Sequence, residues 1–562
     1  MAEAKVDMAE IQKKMLAEIQ QEFDQFPARC GLEDVEETVE MVPMSDGVKL
    51  KTYIFRQKGI ACAPALLVRT CYPGNQVGDF LKARNFAAHG FFSVIQYCRG
   101  TEGSEGEWEP NFHERSDGTD TINWLADQPW VESIGYYGAS YLALTGWAMI
   151  DSLPDKVKGM YLSVYGTNRY VSAFNDGLFR QDVLTSWAMD NAGVPVTADY
   201  IQSCCYKPQV RVDEDLWGVK LPWYEQMICS PDGTDDYWNT GFWSVLREMP
   251  SRVKIPIVFE EGWYDHHLGS ALSGYRTMSG EGLEKCLLRI GPWNHGKYSV
   301  ANAHECKNGG SNQITDIYNF FTTLLKEGKE PESGVSLYVI GEDRWINEKQ
   351  WPKVRGTKHL YLNMADKSLC RDKQAKDSQR SFVYDPENPV PSYGTESCLK
   401  SWTANGSLKQ PEPDYREDVI SFVSQPVTED IAIMGKINVD LYVSSDAQDT
   451  AFSVKIMEVL ENGEAYNIRS GITTLAYRGH SSERQTYTPG EIVKVNVDTW
   501  DIAWTIKKGS RIRVDISSSD FPQYSVHTNY PGVWALQEKT KKAVQTIYSG
   551  KEYPSAVNLP VV

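Results

Sequence analysis

The sequence predicts an α/β domain with an inserted helical cap, followed by an all-β jelly-roll domain. Up to residue 166 and again from residue 249, apolar strand-like segments alternate with helical ones, as in a parallel sheet covered by helices. The residues between are aromatic and helix-like, without a buried strand. After about residue 355, apolar and polar residues alternate strictly, which indicates half-buried antiparallel strands. We therefore expect an N-terminal helical extension at 1–34, an α/β domain at 35–166 and 249–354, a helical cap at 167–248 and a jelly roll at 355–562.

Composition and charge narrow the classes of function. The chain of 562 residues is 41% hydrophobic, enough for large buried cores, and has a formal net charge of −18. This charge argues against nucleic acid and membrane partners, because phosphates and anionic headgroups need a basic face. The sequence contains no run of about eighteen apolar residues that could cross a bilayer. Its eleven cysteines form no CxxC pair and its N-terminus does not resemble a signal peptide, so we expect a cytoplasmic protein with reduced thiols.

The elements of the α/β part follow one another in a regular order. Met15, Ile19 and Phe23 recur at helical spacing and predict an amphipathic helix that lies on the body of the protein. A β-hairpin is predicted around the turn at 45–47. Buried strands are then predicted at 64–70, 91–97, 158–166, 255–263 and 286–293, with a helix at 117–128.

The C-terminal part shows period-two alternation in four stretches, and Asn462–Gly463 is a strong turn signal between two of them. Such alternation is typical of strands that bury one face and expose the other. The alternating apolar residues are Ile437, Val439, Leu441 and Val443, then Phe452, Val454 and Ile456, then Val493, Val495 and Val497, then Ile512, Val514 and Ile516.

The stretch YYGASYLALTGW at 136–147 places a serine at a junction between a predicted strand and a predicted helix. Ser140 follows Gly138 and Ala139, whose small side chains relieve crowding at a sharp corner. Taken alone, the pattern also fits an ordinary strand–turn–helix junction. The rest of the chain decides between the two interpretations.

Two further residues complete a candidate catalytic triad. In α/β-hydrolases the serine comes first in the chain, the acid follows at a later strand end, and the histidine comes last. Asp265 ends EEGWYD, right after the strand residues at 255–259, and His295 ends IGPWNH, right after the strand residues at 286–290. His295 would take the proton of Ser140 and later deliver it to the leaving group, and Asp265 would orient the imidazole.

The negative charge that develops on the substrate oxygen needs hydrogen-bond donors. One is expected from the backbone N–H of Tyr141, which follows the nucleophile. The second should come from the loop after the strand at 64–70, where Tyr72 offers a hydroxyl. Each such donor supplies about 3 kcal/mol of transition-state stabilisation.

The chain resembles the family of serine hydrolases that includes cocaine esterase, glutaryl acylase and X-prolyl dipeptidyl-peptidase. The resemblance implies an α/β-hydrolase domain, a helical cap inserted after the nucleophile strand and a C-terminal jelly roll. It implies Ser140, Asp265 and His295 as the triad and Tyr72 as the oxyanion tyrosine. The motifs that carry it are LVRTCY, CRGTEGSEGEW, DGTDTINWLADQPW, GASYL, EEGWYDHH, IGPWNH, VDLYVSSD and SSSDFPQY.

Members of this family cleave either esters or amides, and both reactions use the same acyl-enzyme. The expected partner is therefore a small-molecule ester or amide, and no cofactor or metal is expected. Trp187 is a candidate wall of the acyl pocket by its resemblance to a family cap tryptophan, and Trp263 is a second candidate. An X-prolyl dipeptidyl-peptidase-like aminopeptidase would need carboxylates for the substrate amine, and the candidates are Asp235, Asp236, Glu260 and Glu261.

Two other classes of function stay open at this stage. A non-catalytic carbohydrate-binding protein could use the jelly roll, although the triad would then be superfluous. A metallohydrolase could use His266 and His267 with Asp265, although the sequence contains no HExxH motif. Acyl transfer to an amine or alcohol would use the same residues as hydrolysis, so it stays open as well. Oligomeric state is a separate question, and a face of the jelly roll could serve as a homo-oligomer surface.

Overall fold

A computed structural model describes residues 8–394, 396 and 405–562. Helices and strands alternate through the α/β part, as the apolar segments predict. The helices are α1 (Met8–Phe23), α2 (Gln76–Ala88), α3 (Glu114–Ala126), α4 (Tyr141–Trp147), α5 (Arg169–Ala173), α6 (Gln181–Asp190), α7 (Tyr200–Cys205), α8 (Pro222–Ile228), α9 (Asp236–Asn239), α10 (Gly241–Glu248), α11 (Leu268–Tyr275), α12 (Gly280–Glu284) and α13 (Gln313–Phe321). The first twelve strands are β1 (Val35–Pro43), β2 (Lys49–Gln57), β3 (Ala63–Thr70), β4 (Phe92–Tyr97), β5 (Val131–Ala139), β6 (Val157–Ser163), β7 (Phe174–Asn175), β8 (Leu178–Phe179), β9 (Ile257–Tyr264), β10 (Cys286–Asn294), β11 (Gly334–Val339) and β12 (Arg344–Glu348).

Ten of these strands form one mixed sheet in the order β1-β2-β4-β3-β5-β6-β9-β10-β11-β12. The strands from β4 to β11 pair in parallel, and the pairs at the two edges are antiparallel. Because the strands are parallel, the carboxyl ends of β3, β5, β9 and β10 meet at one edge of the sheet. The segments with Tyr72, Ser140, Asp265 and His295 all begin at that edge.

Both faces of the sheet are covered, which explains why strand β3 is buried at every position. Helix α1 packs against α2 and α13, so the predicted N-terminal helix does lie on the body of the protein. Ile19 and Phe23 are buried, whereas Met15, whose side chain end lies near Gly78 of α2, stays partly exposed. The opposite face is covered by residues of α3, α4 and α11, which belong to the main core.

Between β6 and β9 the described chain forms six helices, α5 to α10, and the small hairpin of β7 and β8. This helical segment contacts the C-terminal domain at its outer side. The carboxylate of Asp176 lies 3.0 Å from Nδ1 of His480. Asp232 accepts a hydrogen bond of 2.7 Å from the hydroxyl of Tyr477 and pairs with Arg484 at 3.0 Å.

The C-terminal domain is all-β, and its strands pair antiparallel except for one short parallel contact. Nearly all of the predicted alternating apolar residues are buried, with Val493 half-buried at a strand end. Of the helices described, none has both the length and the apolar character needed to cross a membrane. The strands are β13 (Gly356–Asn363), β14 (Ser368–Cys370), β15 (Ser378–Tyr384), β16 (Ile420–Ser424), β17 (Ile431–Ser445), β18 (Ala451–Val459), β19 (Ala465–Thr474), β20 (Val493–Ile506), β21 (Arg511–Ser517), β22 (Ala543–Ser549) and β23 (Ala556–Val561).

Candidate active site

Ser140 stands on a strained corner between β5 and α4. Its φ of 57° and ψ of −127° lie in a region that non-glycine residues rarely adopt. Its backbone N–H donates to the carbonyl of Ser163 at the end of β6, at 2.9 Å. A Cβ at Gly138 would lie 2.2 Å from the carbonyl oxygen of Leu142, so the corner closes only with glycine there. The geometry presents the serine hydroxyl at the carboxyl edge of the sheet.

The structure brings Ser140, His295 and Asp265 into one hydrogen-bonded line. Nε2 of His295 lies 3.0 Å from Oγ of Ser140, and Nδ1 lies 2.6 Å from Oδ2 of Asp265. Asp265 is fully buried, and its other oxygen accepts from the backbone N–H of His267 at 2.6 Å. The carboxylate is therefore fixed on both sides, and it fixes the imidazole in turn.

Tyr72 lies on the same cavity as Ser140, directly after β3. Burial raises the pKa of its phenol well above the ordinary value, so the hydroxyl keeps its proton. The oxygen of that hydroxyl accepts a hydrogen bond of 3.1 Å from Nε1 of Trp187. Tyr141 is the first residue of α4, so its backbone N–H has no acceptor within the helix. Tyr72, Tyr141 and Ser140 therefore line one cavity.

A buried ion pair behind the corner was not anticipated from the sequence. Glu114 pairs with Arg69 at 3.0 Å, and both side chains are buried. The hydroxyl of Tyr141 donates to the same carboxylate at 2.9 Å and accepts from the backbone N–H of Asn111 at 2.8 Å. Glu114 therefore joins the end of β3 to the first turn of α4. An acidic residue in the first turn of a helix is so common that the sequence offers no signal for this role.

A cavity of about 520 Å³ opens above the serine. It is lined by Tyr72, Asn75, Asn111, Ser140, Tyr141, Tyr165, Arg169, Val183, Leu184, Trp187, Asp190, Asn191, His266, His267 and His295. Trp187 is thus a wall of the cavity, and its ring stacks on Tyr141 with an interplanar angle of 12°. Six of these residues are Tyr, Trp, Val or Leu, three are histidines, and Arg169 and Asp190 are the charged groups. The size and character suit a small ligand with an apolar part.

Trp263 was predicted to line the acyl pocket, and the structure places it elsewhere. Its indole is fully buried in the core, where Nε1 donates to the carbonyl of Tyr338 at 2.7 Å. The ring packs edge-on against Trp351. Its indole reaches a backbone carbonyl of β11, and the residue does not line the cavity.

The four carboxylates considered for a substrate amine do not line the cavity. Asp235 accepts from the backbone N–H of Asp232 just before α9, and Asp236 begins that helix at the surface. Both serve the local fold of the cap.

Glu260 and Glu261 are fully buried on β9. Glu260 is bonded to Lys297, and it accepts from the hydroxyls of Tyr161 and Ser163 at 3.1 and 3.2 Å. Burial acts to raise the pKa of Glu260, but the cations Lys297 and Arg289 and the hydrogen bonds to the carboxylate together hold that pKa below its usual value. Burial and the nearby Asp265 carboxylate raise the pKa of Glu261 well above the ordinary range, which favours the uncharged form of this carboxyl.

His266 and His267 flank the triad on the cavity wall. Burial lowers the pKa of both imidazoles well below the usual value, and neighbouring charges add to the effect. Nδ1 of His267 lies 3.1 Å from the hydroxyl of Ser172. The ligand atoms of Asp265, His266 and His295 all lie within 4.8 Å of one another. His267 stands outside this cluster.

The chain matches two family models that together span most of its length. Residues 46–297 match the X-Pro dipeptidyl-peptidase (S15 family) model. Residues 327–558 match the X-Pro dipeptidyl-peptidase C-terminal non-catalytic domain. The sequence is 28% identical over 571 residues to cocaine esterase from Rhodococcus sp. (strain MB1 Bresler), covering 93% of this chain and 98% of that protein.

Two solved structures share the fold over almost the whole chain. An aminopeptidase from the marine sediment archaeon Thaumarchaeota archaeon has a TM-score of 0.81 at 22% identity, covering 96% of this chain and 98% of that one. An α-amino acid ester hydrolase has a TM-score of 0.81 at 24% identity with the same coverage. The two family models, which together span most of the chain, and the cocaine esterase relative show that the chain is a serine hydrolase of the cocaine esterase and X-Pro dipeptidyl-peptidase (S15) family.

Proposed function

We propose that the protein hydrolyses carboxylic esters or amides through an acyl-enzyme formed on Ser140. The observation that carries this proposal is the line of hydrogen bonds from Ser140 through His295 to Asp265, at 3.0 and 2.6 Å. A serine hydroxyl is a weak nucleophile until a neighbouring base can take its proton, and His295 is placed to do so. The buried Asp265 holds the imidazole in the useful tautomer.

The reaction then follows from the positions of the groups. Oγ of Ser140 attacks the carbonyl carbon while Nε2 of His295 accepts the hydroxyl proton. The imidazolium that forms is stabilised by Asp265 and returns the proton to the leaving alcohol or amine. Water then attacks the acyl carbon while Nε2 of His295 takes its proton. The bond between the acyl carbon and Oγ of Ser140 breaks, His295 returns the proton to Oγ, and the acid leaves.

The tetrahedral oxygen of each step would be held by Tyr72 and by the backbone N–H of Tyr141. The Tyr72 hydroxyl oxygen accepts the indole N–H of Trp187, so its own proton would turn from Cys71 to the substrate oxygen when substrate binds. Each donor contributes about 3 kcal/mol to the transition state.

The placement of carboxylates favours simple esters and amides over peptides with a free amino terminus. Asp235, Asp236, Glu260 and Glu261 all serve structural contacts or are buried away from the cavity, and Asp190 is the carboxylate that lines it. A panel of short-chain p-nitrophenyl esters, aryl amides and Xaa-Pro anilides separates these substrate classes. We expect turnover of esters to exceed that of Xaa-Pro anilides. Preference for Xaa-Pro anilides, lost in Asp190→Asn, would instead favour an aminopeptidase.

A fluorophosphonate probe tests the catalytic proposal directly. We expect one covalent adduct on Ser140, located by peptide mass spectrometry. The adduct should be absent in Ser140→Ala and also after unfolding, because the probe needs the activated serine. A folded protein that takes no label at Ser140 would overturn the proposal and favour the binding-protein alternative.

A further inference from the structure

His266 is a buried residue beside the triad whose side chain takes no part in the proposed hydrolysis. Only 4% of the residue is exposed, and its Nδ1 has no hydrogen-bond partner among the described residues. Its ring packs against His295 with centroids 4.3 Å apart, and its Nδ1 lies 4.0 Å from Oδ1 of Asp265. A buried ring nitrogen without a partner is costly, so its retention here needs a reason.

We propose that Asp265, His266 and His295 form a binding site for Zn²⁺, and that occupancy of this site switches the hydrolase off. Their ligand atoms lie within 4.8 Å of one another. Zinc bonds to imidazole nitrogen and carboxylate oxygen at about 2.0–2.2 Å in a tetrahedral arrangement, so small side-chain rotations would bring all three onto one ion. The inhibitory part rests on the proposed function, whereas binding itself does not.

The ligand set points to zinc among the common cations. Two imidazoles and one carboxylate suit Zn²⁺ and its transition-metal neighbours, whereas Mg²⁺ and Ca²⁺ prefer oxygen ligands throughout. His266 and His295 both line the cavity, so a hydrated ion can reach them from solvent. A water molecule would complete the tetrahedron from the cavity side.

Bound zinc would inhibit hydrolysis because it would occupy a ring nitrogen that His295 needs for the proposed reaction. Nδ1 of this residue is bonded to Asp265 and Nε2 faces Ser140, so each nitrogen has a part in the proposed reaction. An imidazole bound to zinc through Nε2 cannot accept the serine proton. One bound through Nδ1 loses its contact with Asp265. Either mode would leave Ser140 without a working base.

His267 provides a matched control. It is the next residue, is equally buried and also lines the cavity. Its Nδ1 is engaged by the Ser172 hydroxyl at 3.1 Å, and it lies outside the three-residue cluster. A general effect of removing a buried histidine would appear at both positions, whereas loss of a metal ligand would appear only at His266.

The test is a zinc titration of ester hydrolysis in the wild type, His266→Gln and His267→Gln, each scaled to its own metal-free rate. We expect reversible inhibition of the wild type, relieved by a chelator. The inhibition constant should rise about tenfold or more in His266→Gln and stay near the wild-type value in His267→Gln. Equal sensitivity of the wild type and His266→Gln would overturn the assignment. Should His266→Gln fail to fold, His266→Asn gives the same comparison.

Cobalt binding to Ser140→Ala separates this inference from the proposed function. Co²⁺ replaces Zn²⁺ at such sites and gives visible absorption bands when its coordination is tetrahedral. We expect these bands in Ser140→Ala and their loss when His266→Gln is added. Bands in Ser140→Ala, together with a wild-type protein that hydrolyses no ester or amide, would leave the metal site standing and remove the proposed function. Absence of the bands, with hydrolysis intact in the wild type, would remove the metal site alone.

Discussion

The indole N–H of Trp187 donates to the hydroxyl oxygen of Tyr72 at 3.1 Å. This bond joins a residue of the cap to a residue at the end of a central strand. Because the tyrosine oxygen accepts from Trp187, its own hydrogen can point toward the substrate oxygen above Ser140. The cap would thereby prepare the oxyanion site as well as enclose the cavity.

Removing the Tyr72 hydroxyl should slow catalysis without changing the fold. We expect Tyr72→Phe to lower kcat about 10²–10³-fold, because one oxyanion donor is lost. The measurement is p-nitrophenyl ester hydrolysis, with the thermal unfolding midpoint as the control for folding. Hydrolysis at the parental rate would show that another donor holds the oxygen.

The bond from Trp187 should act only through Tyr72. We expect Trp187→Phe to lower kcat less than Tyr72→Phe does, and the double variant to match Tyr72→Phe alone. Such non-additivity is the signature of two residues that work as a unit. If the two losses multiply, Trp187 has an independent role, such as direct contact with the acyl group.

Glu260 should hold in place both the loop that carries His295 and the strand end that supports Ser140. Its carboxylate binds Lys297 in the histidine loop and the hydroxyl of Ser163, whose carbonyl receives the N–H of Ser140. We expect Glu260→Gln to destabilise the protein by on the order of 3–5 kcal/mol, because Lys297 is left buried without its counter-charge. The value of kcat should fall more than KM changes.

Urea unfolding and steady-state kinetics measure the two effects of Glu260→Gln. Glu281→Gln is the matched control, since it removes a carboxylate from the exposed ion pair with Lys285. That variant should leave both stability and kcat unchanged. Similar effects in the two variants would argue against a special role of the buried contact.

The serine corner should not tolerate a side chain at Gly138. We expect Gly138→Ala to disrupt the turn and abolish fluorophosphonate labelling, because the added Cβ would lie 2.2 Å from the Leu142 carbonyl oxygen. Gly356→Ala is the control, as its Cβ would meet no atom within 4 Å. Full labelling of Gly138→Ala would mean that the corner can relax without losing its geometry.

A buried cluster of charges should make stability depend on pH. Burial raises the pKa of Asp182 to about 8, although Arg180 opposes this, and the nearby carboxyls of Glu396 and Asp520 add to the rise. The folded chain therefore keeps a proton that the unfolded chain releases between about pH 4 and pH 8. The free energy of unfolding should fall as pH rises through that window.

The variant Asp182→Asn isolates this contribution. Urea unfolding across the same pH range should give a flatter profile than the wild type, since the amide cannot titrate. In the difference between the two profiles, the contributions of all titratable groups that both proteins share cancel. Parallel profiles would mean that Asp182 has an ordinary pKa in the folded protein.

The sequence predicted best those site residues that directly follow a recognisable strand. The positions of Ser140, Asp265 and His295 could be predicted because each follows a recognisable buried strand, and parallel strands end at one edge. Period-two alternation likewise identified the buried residues of the all-β domain. Both predictions depend on short patterns along the chain, and these patterns can be read without knowing how distant segments pack.

Contacts between segments that are distant in the chain could not be predicted, because no short sequence pattern marks them. Trp263 and Glu261 share one face of β9, and only the neighbouring strands decide that this face is core and not cavity. The pairing of Glu114 with Arg69 depends on how α3 lies over β3. The unpartnered nitrogen of His266 is equally invisible in a sequence, because an absence of partners is a property of the folded environment.

The contacts of Asp176 with His480 and of Asp232 with Tyr477 tie the outer side of the cap to the C-terminal domain. We expect these contacts to restrict movement of the cap. The width of the cavity entrance would then stay constant. The size of the acid or alcohol that fits would therefore depend on the C-terminal domain, which supplies none of the proposed catalytic groups. Cutting that domain away would alter which molecules fit before it altered how they are cleaved.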